Sequence, residues 1–345
     1  MPHSTKHDAG SAGAGIKNPA RGHRNLWWWL IPVGLLFLIL APLTLGEYHI
    51  SLLSEILIFA IMVSGLNLLL GYTGLVSLGH AAFMGIGAYV TAVGSFLLGF
   101  PVWVVMVAAL LISLVVAYLV GLLSVRTKGV QFLLITLAFG QMFYAVAEKT
   151  RYTGGDDGLT GIPRINLTSL GFDANDDRVF YYFVLVCFVV SLAILRALIE
   201  SPFGTVLVGI RENEKRMTSI GYRTYPYKAL AFGVSGMMGG LSGSLWVQHT
   251  FFVNPHIVTW QMSGETLLMA IIGGSQAFFG PLFGVAFYIL ARDVLSEITE
   301  SYLMIFGLLF ICVVAFFRGG IAGVLTRFGQ RLEAVWTRYR PGGHR

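Results

Sequence analysis

The residues whose types and spacing could support chemistry are concentrated in one short charged segment. Residues 211–223 read RENEKRMTSIGYR, in a chain whose residues are 56% hydrophobic and 12% charged. On a helix, side chains three or four positions apart are neighbours, so Arg211, Glu214 and Lys215 would share one face. The segment predicts a short polar helix that ends at Gly221. Such a helix can dock into a groove of another protein; the alternative is a solvated loop whose charges pair with one another.

Two glycine-rich interruptions form a second group of polar positions. They are GYTGLVSLGHAAFMGIGAY at 71–89 and the pairs Gly273-Gly274 and Gly280-Pro281 within 272–284. Irregular backbone at membrane depth is tolerated where it is buried or lines a cavity, so such breaks indicate a translocation path. The alternatives are close helix packing by the glycines, a packing role for His80, and an ordinary kinked helix. The residues expected along the path are Tyr72, Thr73, Gly74, Ser77, Gly79, His80, Gly273, Gly274, Ser275, Gln276 and Gly280.

Several kinds of enzyme site find no support in the sequence. A phosphate-binding P-loop needs a Gly-Lys pair, and none of the six lysines follows a glycine. Cys187 and Cys312 both lie in apolar stretches, so they indicate neither a disulfide framework nor a metal site. We therefore expect no catalytic residue, no metal and no cofactor bound by this chain.

The composition predicts an all-α integral membrane protein. The mean hydropathy is +0.74, and the charged fraction is half of the roughly 25% that is usual in soluble domains. Because a spanning helix needs roughly 20 apolar residues, we expect spans near 27–46, 50–70, 81–99, 102–124, 130–148, 179–199, 228–249 and 301–317. Residues 263–291 should form a re-entrant hairpin or two half-helices. This gives about 8–10 transmembrane helices, with a possible inverted repeat that relates the break at 71–89 to the one at 272–284.

The distribution of lysine and arginine predicts the domain organisation, because these residues are retained on the cytoplasmic side. Residues 1–26 should be a disordered cytoplasmic tail, 27–325 the membrane domain, and 326–345 a basic cytoplasmic tail. Within the membrane domain, 149–178 should lie outside and 200–227 inside.

The positions of the acidic residues bear on whether an ion gradient could drive transport. Glu55 and Glu265 lie near predicted helix ends, and Glu148 adjoins Lys149, which can pair with it. A carrier driven by protons or sodium usually has acidic residues deep in its bundle, so an ion-coupled carrier or channel is the alternative rather than the leading interpretation.

Four motifs in chain order resemble the branched-chain amino acid ABC transporter permease family, in its LivM-type form. They are LNLLLGYTGLVSLGHAAFMGIGAY (67–89), YTGGDDGLTGIP (152–163), the segment 201–235 with RENE and YKALAF, and WQMSGETLLMAIIGG with FGPLFG (260–284). The resemblance covers about residues 50–325. It implies that 200–227 is the loop that couples the permease to an ATP-binding subunit, through Arg211, Glu212, Asn213, Glu214, Arg216 and Gly221.

The same resemblance implies the partners. ATP and Mg would bind to two separate ATP-binding subunits, and a second, homologous permease subunit would complete the membrane part, which contacts lipid and no nucleic acid. A periplasmic substrate-binding protein would contact Thr153, Gly154, Gly155, Asp156, Asp157 and Gly158. The expected function is import of branched-chain or related amino acids; urea or short amides are the alternative substrates within the family.

Overall fold

The computed structural model describes residues 24–166, 176–275 and 277–298, together with the separate positions 304, 305, 307, 308, 311, 320 and 323. Ten α-helices account for most of these residues. They are α1 (Arg24–Thr44), α2 (Glu47–Asn67), α3 (Ala81–Ala92), α4 (Val102–Ser124), α5 (Val130–Lys149), α6 (Asp177–Glu200), α7 (Pro202–Ser219), α8 (Thr224–Thr250), α9 (Trp260–Gly273) and α10 (Gly280–Ile298).

The protein is an all-α integral membrane protein, as its composition predicts. Within the described residues, five helices are long and apolar enough to cross a membrane: 47–73, 102–124, 130–149, 177–200 and 224–250. The first of these consists of α2 and a π-helical continuation, Leu68–Thr73, and a second π-helical segment, Val93–Leu97, extends α3. The predicted span at 301–317, the 1–23 part of the N-terminal tail, and the tail at 326–345 lie outside the described residues.

Helix α1 belongs to a compact unit that ends at Thr44, and the helices from α2 onward belong to a second unit. It begins and ends slightly earlier than the expected span at 27–46 and contains Pro32 and Pro42.

The second unit is organised around α2 and α8, which pack against each other in opposite directions. The Ser242 hydroxyl donates a hydrogen bond of 2.8 Å to the carbonyl of Ile58, and the Ser235 hydroxyl donates to that of Gly65. Close approach of the backbones requires small side chains at the contact, which explains the serines and glycines in α8. One end of this pair carries α7, and we name it the α7 end; the other is the far end, where β1 (Leu159–Thr160) pairs antiparallel with β2 (Phe252–Val253).

Each of these long helices is followed by a segment that is not α-helical and then by a shorter helix. Coil 74–80 leaves α2 at the α7 end and leads into α3, and residues 251–259 leave α8 at the far end and lead into α9. The two shorter helices begin close together, because the Ala81 amide at the start of α3 donates a 3.1 Å hydrogen bond to the Ser263 hydroxyl in α9. Helices α2, α3 and α4 are thus repeated by α8, α9 and α10 in the opposite direction, an arrangement found in many transporters.

This arrangement corrects the expected pairing of the breaks. The segment that corresponds to coil 74–80 is 251–259, which contains β2 and a 3₁₀ turn (Pro255–Val258), and not the glycine-rich segment at 272–284. The latter is the turn between α9 and α10, as 98–101 is the turn between α3 and α4. Asn254-Pro255 marks the missed segment, because proline disfavours helical backbone at the residue before it.

The expected break between 263 and 291 is present. Helices α9 and α10 are separate and form an antiparallel hairpin, with the described residues 274, 275 and 277–279 at its tip. A Cβ atom on Gly273 would lie 2.0 Å from the Gly280 carbonyl oxygen, and one on Gly284 would lie 1.9 Å from that of Met269. Glycine is therefore required at these positions for the two helices to approach.

The contact between α3 and α8 gives a test of this packing. In Gly87→Ala, the added methyl group would lie 2.0 Å from the backbone oxygen of Gly240, so the helices must separate. We expect a destabilisation of about 1–3 kcal/mol, measured as a lower melting temperature of the detergent-purified protein. The matched control is Gly264→Ala in α9, where nothing lies within 4 Å of the new Cβ; it should not lower the melting temperature. Equal melting temperatures for both variants would contradict this packing.

Candidate functional site

Helix α7 starts where its sequence favours a helix N-terminus and is bent in its middle. Ser201 precedes Pro202, which suits the first helical position because it has no amide proton to satisfy. Asn213 has non-helical backbone angles (φ −159°, ψ 93°), and its side-chain oxygen accepts a 3.0 Å hydrogen bond from the Arg216 amide. Asn213 thus caps a second short segment that folds back on the first, with Met217 against Gly209.

This bend corrects the expectation of one continuous helical face. Arg211 belongs to the segment before the bend and Glu214 to the segment after it, and their side chains contact different parts of the bundle. Helix α7 also ends at Ser219, two residues before the expected end at Gly221. Gly221 itself follows the helix with φ +95°, a conformation that favours glycine.

Glu214 holds the second segment of α7 to two other parts of the protein. Its carboxylate oxygens lie 2.6 Å from the ammonium groups of Lys128, between α4 and α5, and Lys228, at the start of α8. The Thr224 hydroxyl donates a further hydrogen bond of 3.1 Å. Lys228 is buried and also donates to the Val125 carbonyl at 3.2 Å, so its charge depends on Glu214 for compensation.

The electrostatics of this ion-pair cluster keep Glu214 ionised. Burial alone would raise the pKa of its carboxyl, but the hydrogen bonds from Lys128 and Lys228 and the charge of Lys228 outweigh burial, and the pKa falls from 4.5 to about 2. A lowered folded-state pKa stabilises the fold above the unfolded pKa. This contribution is complete above about pH 4.5 and is lost as the pH falls toward 2.

Arg211 turns toward the bundle. Its guanidinium group donates a hydrogen bond to the backbone carbonyl of Gly71 in the π-helical end of α2. Its aliphatic part lies beside Gly74, where an added Cβ would be 3.0 Å from the Arg211 Cγ. Gly74 has φ +77°, which glycine adopts without strain.

The remaining polar residues at the bend are open to a partner. Glu212, Asn213, Lys215 and Arg216 are all exposed, and Arg211 is exposed as well, although its guanidinium group reaches the Gly71 carbonyl. Beside them lies an open cavity of about 320 Å³ lined by Lys128, Glu214, Lys215, Thr218 and Ser219. The bend therefore presents charged groups of both signs next to a polar cleft.

The structure brings the two glycine-rich interruptions together at the α7 end. A Cβ on Gly71 would lie 1.8 Å from the carbonyl oxygen of Ser275, and the side-chain amide of Asn67 donates a 3.3 Å hydrogen bond to the Ala277 carbonyl. Gly273, Gly274 and Gly280 form the tip of the α9–α10 hairpin next to this contact. Tyr72 and Thr73 lie in the π-helical end of α2, where Thr73 donates to the Leu68 carbonyl at 3.0 Å. Gln276 lies outside the described residues.

Ser77, Gly79 and His80 lie deeper in the bundle than the other expected path residues. The His80 Nε2 atom is 3.1 Å from the hydroxyl of Ser235, which lies near the middle of α8. Gly79 packs against the carbonyl of Thr136 in α5, where a Cβ would approach to 2.1 Å. All three residues are buried, as is Thr136.

The expected binding-protein contact lies at the far end. Thr153, Gly154, Gly155, Asp156, Asp157 and Gly158 form two short 3₁₀ turns directly before β1. Asp156 and Asp157 are exposed, and Gly154 and Gly158 have φ values of +79° and +73°. A Cβ on Gly158 would lie 2.1 Å from the Val253 carbonyl, so this glycine lets the turns approach β2.

Sequence reasoning missed the residues that hold these elements in place. Lys128 and Lys228 are the partners of Glu214, and Ser235 and Ser263 contact the coil 74–80 and the start of α3. In the sequence these residues give only weak signals. Each lysine stands alone at the end of a loop, and each serine is a single hydroxyl in an apolar helix. Only proximity in the fold gives these residues a role.

The inverted repeat of broken helices and the charged helix α7 at one end define a multi-pass membrane permease. The chain belongs to the family described as "Branched-chain amino acid transport system / permease component", whose sequence model matches residues 48–314.

Two relatives share the name "High-affinity branched-chain amino acid transport system permease protein LivM". The protein of Escherichia coli (strain K12) is 28% identical over 309 residues, which are 83% of this chain and 73% of the relative. That of Salmonella typhimurium (strain LT2) is 27% identical over 296 residues, 79% of this chain and 70% of the relative. No solved structure matches this chain.

The ion-pair cluster predicts a measurable effect of Glu214→Gln. The substitution leaves the buried Lys228 without a counter-charge, so we expect a loss of unfolding free energy of the order of 3 kcal/mol at pH 7, measured by thermal unfolding in detergent. It should also remove the part of the wild-type acid sensitivity that falls between pH 4.5 and 2. Glu212→Gln, at an exposed neighbour, is the control and should unfold like the wild type. Identical pH profiles for wild type and Glu214→Gln would show that the cluster does not hold α7.

Proposed function

We propose that this chain is the permease subunit of an ATP-binding cassette importer, which passes branched-chain or related amino acids from a periplasmic binding protein into the cytoplasm. The single observation that carries this proposal is helix α7. Its bend exposes Glu212, Asn213 and Arg216, while Glu214 fixes it to α8 and to the loop between α4 and α5. An exposed helix held to several bundle elements is suited to receive force from a docked partner.

The energy for transport comes, in this proposal, from partners. Two ATP-binding subunits bind ATP and Mg and dock on the bend of α7, where the open cavity beside Lys215 and Ser219 can receive a side chain. The permease then performs no bond-making step. Its own task is to change access between the two sides of the membrane.

A second, homologous permease subunit would complete the path. One face of helix α5 suits contact with another protein rather than with lipid. Near the middle of this span, Gln141 is exposed beside the exposed Ala138. An amide left without a hydrogen-bond partner in an apolar medium costs roughly 2–7 kcal/mol. On α4, by contrast, the exposed mid-span residues Leu111 and Val115 are apolar and suit lipid.

The proposed orientation places the α7 end in the cytoplasm and the far end in the periplasm. Arg126, Lys128, Lys215 and Arg216 all lie at the α7 end, and basic residues are retained on the cytoplasmic side. Both chain termini are then cytoplasmic. The exposed Asp156 and Asp157 face the periplasm, where the binding protein delivers its ligand.

We take the substrate class, branched-chain amino acids, from the family, and competition between substrates for uptake tests it. A pocket discriminates a few methyl groups by only a few kcal/mol, so leucine, isoleucine and valine should compete with one another for uptake. Urea and short amides are the alternative substrates.

Co-purification and reconstitution test the proposed function. Purified from its native membrane in mild detergent, the chain should bring down a second permease and ATP-binding subunits. Reconstituted in liposomes with the binding protein, the complex should import labelled leucine only when ATP is supplied, and ionophores should leave this uptake unchanged. Uptake by the chain alone, without ATP and abolished by an ionophore, would show an ion-coupled carrier instead.

Cysteine labelling tests the proposed orientation. Glu297→Cys at the far end and Ser219→Cys at the α7 end are both exposed positions. In a background with Cys187 and Cys312 replaced by serine, Glu297→Cys should react with a membrane-impermeant thiol reagent applied from the periplasmic side. Ser219→Cys should react only after permeabilisation. The reverse labelling pattern would contradict the orientation.

A further inference from the structure

The end of α2 is capped by a residue from α7. The last carbonyl groups of a helix have no partner within the helix, and a cation is favourable there. In the π-helical end of α2, the Leu69 carbonyl accepts a 2.9 Å hydrogen bond from the Leu75 amide, and the Leu68 carbonyl accepts one from the Thr73 hydroxyl. The carbonyl of Gly71 receives its hydrogen bond from the guanidinium of Arg211.

The same turn of α2 also touches the tip of the α9–α10 hairpin. Gly71 packs so closely on the Ser275 carbonyl that no side chain fits between them, and Asn67 is hydrogen-bonded to the Ala277 carbonyl. Arg211, Gly71 and Ser275 thus form a continuous series of contacts from α7 to the hairpin tip. Gly71 and Ser275 have no room between them for a side chain, so a displacement of this turn of α2 has to be accommodated by the hairpin.

The contact is made where the end of α2 is π-helical, at Leu68–Thr73. A π-helical turn is less regular than an α-helix and occurs frequently at functional sites. It is followed by Gly74 at φ +77° and by the coil 74–80, which enters the bundle and ends at buried His80. A shift of the Gly71 carbonyl would therefore move the start of this coil relative to the hairpin tip.

We propose that Arg211 is a positioning residue that links α7 to the junction between the end of α2 and the hairpin tip, and that this junction is the gate at the α7 end. The inference rests on the proposed function, because α7 moves only if ATP-binding subunits dock on it. Arg211 acts through Gly71 rather than by contact with the docked subunit. Glu214 has a different role, since it fixes α7 to α8 and to the loop before α5.

The test uses the complete importer with its binding protein in liposomes. In Arg211→Gln, we expect the ATP-binding subunits to co-purify as in the wild type and to hydrolyse ATP, whereas uptake per ATP hydrolysed falls about tenfold. Arg211→Lys keeps a cation that can reach the carbonyl and should restore most of this ratio. A fold defect would lower uptake and hydrolysis together, so the ratio separates a link from a merely structural role, and a wild-type melting temperature for Arg211→Gln checks the fold directly.

Arg216→Gln is the contrasting variant. Arg216 is exposed at the bend, so its substitution should lower the amount of ATP-binding subunit that co-purifies. In the complexes that still form, uptake per ATP hydrolysed should be unchanged. If Arg211→Gln instead lowers co-purification and leaves uptake per ATP unchanged, Arg211 is a docking residue. The proposed link between α7 and the hairpin is then refuted, while the proposed function stands. Wild-type uptake per ATP in Arg211→Gln likewise refutes it. If the wild-type chain brings down no ATP-binding subunit, the proposed function fails, and the link fails with it.

Discussion

The structure depends on one constraint: backbone polar groups inside a hydrocarbon layer need partners within the protein. Helices satisfy their own, but the coil 74–80 cannot. Its Leu78 amide donates to the Thr136 hydroxyl at 3.2 Å, and the Ala81 amide donates to the Ser263 hydroxyl at 3.1 Å. These serine and threonine side chains come from α5 and α9, so the coil is stable only when both helices are packed around it.

Glycine makes this packing possible. Helix α3 approaches α8 at Gly87, Gly240 and Gly243, where a Cβ on Gly243 would lie 1.8 Å from the Met84 carbonyl. In a membrane, association gains little from hydrophobic burial and depends on close contact and hydrogen bonds. The core is accordingly rich in small and hydroxyl residues, and Thr91 and Ser244 join across the two helices at 2.7 Å. The apolar surface left over, such as the exposed face of α4, is suited to lipid.

The sequence predicted the elements better than their arrangement. The spans at 102–124 and 130–148 agree with α4 and α5 to within one residue, because an apolar run of about 20 residues leaves few alternatives. The break between α9 and α10 was also foreseen, since glycine pairs and Gly280-Pro281 interrupt the helix there. What the pattern does not contain is the partner of a given break. Segment 251–259 is equivalent to coil 74–80 in the fold, yet the two share no sequence motif.

The charged segment illustrates the same limit at the level of single side chains. Spacing on an ideal helix grouped Arg211 with Glu214, but Asn213 leaves the helical conformation and separates them. The consequence is that the two halves of α7 are attached to different parts of the bundle: the first half to the end of α2, the second to Lys128 and Lys228. Because α2 and α8 belong to opposite halves of the inverted repeat, a subunit docked at the bend, as proposed, would act on both halves at once. Glu214 by itself already contacts both halves, since Lys128 follows α4 and Lys228 lies in α8.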